Sequence, residues 1–105
     1  MKTCTSAHLA SAYVDGATVV DVREPDEYIR GHVPGAVLIP LGELERRTVE
    51  VPRRGPVYVI CASGKRSRTG AGILELAGID AVSVDGGTDG WIAAGREYVT
   101  GPRAR

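Results

Sequence analysis

The sequence is poor in the residues that staple or metallate small proteins. Its two cysteines, Cys4 and Cys61, are too few for a disulfide scaffold and fall in no metal-ligand spacing. His8 and His32 are the only histidines, so no cluster resembles a zinc site and no metal is expected. An excess of one charge is also missing: 13 Lys and Arg stand against 13 Asp and Glu. A neutral chain has no bulk field to hold nucleic acid or an anionic membrane, so neither is expected as a partner and any anion site must be local. Apolar runs such as Ala36 to Ile39 and Val57 to Cys61 fall far short of the roughly 20 residues that span a bilayer. The segment Met1 to Ala12 mixes Lys2, Cys4, Ser6, His8 and Ser11 without an apolar secretory core, and a cytoplasmic location is expected.

What is present is ordinary for a folded protein. Hydrophobic residues make up 43% and charged residues 25%, which argues against a disordered, collagen-like or mucin-like chain. A length of 105 residues is enough for one compact domain and too short for two. The expected core runs from about residue 3 to 95, with residues 100 to 105 frayed. Short β-rich runs alternate with helical stretches, the pattern of an α/β fold built on a parallel sheet. Strands are expected at Lys2 to Thr5, Thr18 to Val22, Ala36 to Ile39, Val57 to Ile60 and Ala81 to Val84. Between them the sequence predicts helices over Ser6 to Tyr13 with Ser6 as cap, Glu24 to Arg30, and Leu41 to Thr48 with a Glu43–Arg47 pair. A longer helix follows Ser67 and ends near Ala77, and a short one over Thr88 to Ala94 carries Trp91. Gly70 and Gly72 inside the longer helix each cost about 1 kcal/mol relative to Ala, for which close helix packing is the expected compensation.

The informative segment is Cys61-Ala-Ser-Gly-Lys-Arg-Ser67. Cys61 ends the most strand-like run and precedes a loop containing Gly64 and then a helix, so loop amides and the helix start can converge on its sulfur. Lys65, Arg66 and Arg68 are expected to add to the effect. An ordinary thiol titrating near ~8.5 is only a few per cent ionised at neutral pH, whereas a fall of ~2 units, worth about 2.7 kcal/mol, makes it mostly thiolate. The thiolate is the nucleophile. The alternative, an inert strand-end cysteine beside a solvated helix start, fits the cationic loop less well.

The pattern C-x-x-G-x-R-S after Val57-Tyr-Val-Ile60 resembles the active-site loop of single-domain rhodaneses, sulfurtransferases that carry a persulfide on this cysteine. Val20-Asp-Val-Arg23 with Glu27-Tyr28, then Gly31-His-Val-Pro-Gly-Ala36 and Ile39-Pro40, is similar to that family's first signature. Gly86-Gly87 with Trp91 and Gly95 resembles its closing element. The resemblance implies a three-layer α/β/α fold with a mostly parallel sheet of about five strands. It also implies Cys61 as the catalytic residue at the bottom of a cradle formed by Ala62, Ser63, Gly64, Lys65, Arg66 and Ser67. A small sulfur-containing anion such as thiosulfate, or a protein persulfide, is the implied donor, and cyanide or a thiol the acceptor. No metal or organic cofactor is needed, and a monomer or weak homodimer is expected.

Many members of that family carry arginine directly after the cysteine, where this chain has Ala62, so donor binding falls to Lys65, Arg66 and Arg68. One rival is a cysteine-dependent phosphatase or arsenate reductase on the same architecture. Phosphatases of this type place five residues between cysteine and arginine, whereas four separate Cys61 from Arg66, and no Asp near the loop stands out as a general acid. A second rival is a sulfur-relay or partner-docking domain with little activity on free thiosulfate. His32 is expected to brace a turn, Asp21 and Arg23 to pair at a strand end, and Trp91 to fill the core. Cys4, remote in sequence and without a charged loop, is a poor candidate for resolving a persulfide.

Overall fold

Val57, Tyr58, Val59 and Ile60 are buried at every position, which requires cover on both faces of their strand. A computed structural model, describing residues 1–105, supplies that cover. Five strands, β1 (Lys2–Cys4), β2 (Thr18–Asp21), β3 (Val37–Leu38), β4 (Val57–Ile60) and β5 (Ala81–Val84), form one parallel sheet in the order β1-β5-β4-β2-β3. Four helices connect them, α1 (Ser6–Val14), α2 (Pro25–Arg30), α3 (Leu41–Leu44) and α4 (Arg66–Leu76), and a fifth, α5 (Gly87–Ala93), follows β5.

Because side chains alternate along a strand, β4 feeds two separate cores. Val57 and Val59 pack with Leu44, Ala71 and Leu74 beneath α3 and α4. Tyr58 and Ile60 pack with Leu9, Tyr28 and Trp91 beneath α1, α2 and α5. The result is the expected three-layer arrangement. The strand order places β4 and β2 side by side, yet their following helices α4 and α2 leave toward opposite faces. A crevice opens at such a switch point, outside the carboxyl ends of the strands, and Cys61 stands at that end of β4.

Several local expectations are corrected. Thr5 caps α1, not Ser6: its hydroxyl accepts from the His8 N–H at 3.1 Å. The helix over Leu41 to Thr48 is α-helical only to Leu44 and continues as a tighter 3-10 stretch through Glu45–Glu50, kinked at Arg47. β-branched Thr48 and Val49 ahead of Pro52 disfavour a longer α-helix, while Arg47 bridges Glu43 and Glu50 at 2.8 Å each. Gly70 bears out the packing explanation, since a Cβ there would sit 3.1 Å from Val59 Cγ1. Gly72 does not, because nothing lies within 4 Å of its Cβ position. The tail is not frayed. Gly101 N–H donates to Ile29 O at 2.8 Å and Gly35 N–H to Ala104 O at 2.7 Å. No helix is long and apolar enough to cross a membrane.

Candidate active site

The chain leaves β4 at Cys61, turns through Ala62 to Lys65 and enters α4 at Arg66. Two glycine pairings allow the turn. Gly64 takes φ +108°, in the region that penalises a side chain, and its N–H donates to Cys61 Sγ at 3.1 Å. On the other side, Thr88 N–H donates to Cys61 O at 2.8 Å and Asp89 N–H to Ala62 O at 3.0 Å. These bonds draw the start of α5 so close that a Cβ on Gly87 would fall 2.4 Å from Cys61 O. Gly86-Gly87 is therefore the seat on which the cysteine loop rests.

Cys61 is almost wholly buried, at 1% exposure. Burial alone raises a thiol's pKa, yet the Cys61 thiol is lowered. Hydrogen bonds from the Ser67 hydroxyl and from the Ser67, Gly64 and Ser63 amides outweigh the desolvation and favour the thiolate. The loop amides act as the sequence led one to expect, whereas the cations contribute less. Arg66 turns to Glu27, with a bidentate pair at 2.7 and 2.8 Å, and Arg68 pairs loosely with Asp85 at 3.6 Å. Lys65 is exposed and has no carboxylate partner. Neutral donors, more than the three cations, lower the pKa of the Cys61 thiol.

Around the loop, Asp21 and Arg23 form the expected buried pair at the end of β2. The Arg23 Nη2 donates to Asp21 Oδ2 at 2.8 Å and to Gly31 O at 2.8 Å, so the pair ties β2 to the far end of α2. Glu27 accepts the Glu24 N–H at 3.1 Å as well as Arg66, and these bonds hold its carboxyl down to about 2. The bridge joins α2 to the cysteine loop across the switch-point crevice. Beside it lies a cleft of about 180 Å³ lined by Ala62, Arg30, Thr88, Asp89 and Ile92 among others. Asp89 reaches the loop's edge through its N–H on Ala62 O and lines this cleft.

A family model for the rhodanese-like domain matches residues 6–94. The chain belongs to the rhodanese-like domain family. A thiosulfate sulfurtransferase of Pseudoalteromonas translucida is 30% identical over 81% of this chain and 82% of its own length. The provisionally named sulfur carrier protein YrkF of Bacillus subtilis is 41% identical over 65% of this chain, and the match spans only 37% of that relative. Among solved structures, a rhodanese-related protein of Thermoplasma volcanium superposes with a TM-score of 0.87 at 34% identity, covering 94% of this chain and 98% of that one.

Within this rhodanese-like chain the remaining expected residues fall into place. His32 braces its turn: Nδ1 lies 2.8 Å from Tyr28 O and Nε2 2.8 Å from Arg103 O, which also docks the tail. Trp91 is a core residue at 3% exposure, its Nε1 donating to Glu97 O at 2.7 Å. Cys4 packs with the α1 and α5 layer, whereas Cys61 lies in the α4 layer, so the sheet separates the two thiols. Sequence reasoning missed the parts played by Glu27 and Thr88. Glu27 was visible only as part of a motif, and its pairing with Arg66 spans 39 positions.

Proposed function

We propose that this protein is a sulfurtransferase that carries sulfane sulfur as a persulfide on Cys61. The observation that carries the reading is the buried Cys61, whose sulfur accepts the Gly64 N–H at 3.1 Å and whose thiol is lowered in spite of that burial, which favours an anion the size of one sulfur atom. In the first step the Cys61 thiolate attacks the outer sulfur of thiosulfate or of a persulfide donor. The new S–S bond takes that sulfur, and sulfite or the donor's thiolate leaves with the electron pair. In the second step cyanide or an acceptor thiolate attacks the outer sulfur, and the Cys61 thiolate departs, restoring the resting loop. Splitting the transfer into two displacements predicts ping-pong kinetics.

The loop residues take distinct parts. Amides of Ser63, Gly64 and Ser67 and the Ser67 hydroxyl stabilise the sulfur anion. Exposed Lys65 meets the donor's anionic end, and Ala62 leaves the adjoining cleft open where a longer residue would fill it. With Arg66 engaged by Glu27, only one unpaired loop cation remains for a small dianion, which favours a persulfide donor over free thiosulfate. Mass spectrometry after incubation with thiosulfate or glutathione persulfide tests the reading. A gain of one sulfur atom, absent in Cys61→Ser, is expected. No adduct with any sulfane donor, together with turnover of an aryl phosphate, would overturn it.

A further inference from the structure

Ser83 sits in the middle of β5 between Val82 and Val84 and is completely buried. A hydroxyl withdrawn from water needs a partner. The side-chain partner it has is Ser67 Oγ, at 2.8 Å and equally buried. Register places the contact close to the site: Ser83 lies opposite Val59, and Val59 and Cys61 share the face of β4 that lies under α4. Cys61, Ser67 and Ser83 therefore face one buried space between the sheet and α4, and the Ser67 hydroxyl is among the groups that favour the Cys61 thiolate.

Proton counting then sets the direction of the bonds. A serine hydroxyl has one proton to donate and two lone pairs to accept with. If Ser67 donates to Ser83, nothing remains for the sulfur. If Ser67 donates to the sulfur, the 2.8 Å contact must be donated by Ser83. Only the second arrangement places a proton beside a thiolate, and a chain of hydroxyls ending on a charge strengthens each of its bonds.

We infer that Ser83 is a positioning residue for the reactive sulfur: it donates to Ser67 Oγ and thereby commits the single Ser67 proton to Cys61 Sγ. This rests on the reading of Cys61 as a sulfur-carrying thiolate, but its test needs no sulfur donor. A buried strut between α4 and β5 would affect stability alone, whereas a hydrogen-bond relay also changes the titration of Cys61.

The experiment is a double-mutant cycle read by iodoacetamide alkylation across pH, with Cys61 resolved from Cys4 by peptide mass spectrometry, on variants whose thermal melts confirm folding. Ser83→Ala should raise the Cys61 midpoint by about half a pH unit, slowing alkylation about threefold on the acid side. Ser67→Ala should raise it further, and adding Ser83→Ala to that variant should change nothing more. An unchanged midpoint in Ser83→Ala, or an equal shift with and without the Ser67 hydroxyl, overturns the relay. Since persulfide formation is measured separately, an altered titration without sulfur uptake would reject the sulfurtransferase reading and leave the relay standing. The reverse result would reject the relay alone.

Discussion

Replacing Gly87 by alanine tests whether the seat beneath the cysteine loop is as tight as its hydrogen bonds imply. The added Cβ would lie 2.4 Å from Cys61 O and 2.5 Å from Ala62 O, both backbone atoms. Neither can retreat without breaking the bonds it accepts from Thr88 and Asp89. The residue also holds φ +57°, which costs a non-glycine residue roughly 1 kcal/mol. Adding an overpacking cost of about 1–3 kcal/mol gives a loss of about 2–4 kcal/mol. For a domain of this size that lowers Tm by roughly 10 °C or more. Gly90 supplies the control: it lies in α5 with nothing within 4 Å of its Cβ position, so alanine there should stabilise by about 0.5–1 kcal/mol. Circular dichroism melts of the two variants, beside alkylation of Cys61, measure both effects. A Gly87→Ala protein that melts within about 2 °C of the parent would refute the argument, because so small a change corresponds to well under 1 kcal/mol.

The two glycines inside α4 should separate in urea titrations: Gly72→Ala gains about 1 kcal/mol, while Gly70→Ala, pressed against Val59, Val22 and Leu44, loses about 1 kcal/mol. Equal gains at both positions would reject the packing explanation. Glu27 titrates at about 2 in place of 4.5, so its ion pair contributes stability that is complete above the unfolded value and is lost as pH falls through the folded one. Discounted for the half-exposed Arg66, the stability gap between the parent and Glu27→Gln should be about 1–2 kcal/mol at neutral pH and should narrow by pH ~3. A gap of constant size between those pH values would show that the carboxylate charge is not its source.

Elements whose signal is local were legible in the sequence. The β-branched runs around Val20 and Val59 could form only buried strands, and Pro25 with a first turn of acids could start only a helix. Cys61 was legible for the same reason, since its strand, glycine and helix lie within a few residues of one another. Features that depend on distant partners were not. The capping of α1 by Thr5 in place of Ser6 turns on a shift of one residue in the entry of the chain. The docking of the tail depends on His32, 71 positions away from Arg103. Gly70 and Gly72 carry the same helix penalty, and only the positions of Val59, Val22 and Leu44 distinguish them.

The sharpest refinement concerns what lowers the pKa of the Cys61 thiol. The sequence pointed to the loop amides and the helix start, with Lys65, Arg66 and Arg68, the nearest formal charges, adding to them. In the folded loop, distance and burial favour the amides over the charges. Arg66 satisfies Glu27 and Arg68 faces Asp85, so most of the positive charge is spent on carboxylates before it reaches the sulfur. The Gly64 amide, with no formal charge, lies 3.1 Å from Sγ in a buried contact. A dipole in contact inside a low-dielectric pocket outweighs a solvated charge whose field is screened over about 8–10 Å of salt solution. A loop of this kind favours a thiolate by geometry, which is why the glycines that permit the geometry, Gly64 and Gly87, belong to the candidate site as much as the cations beside it.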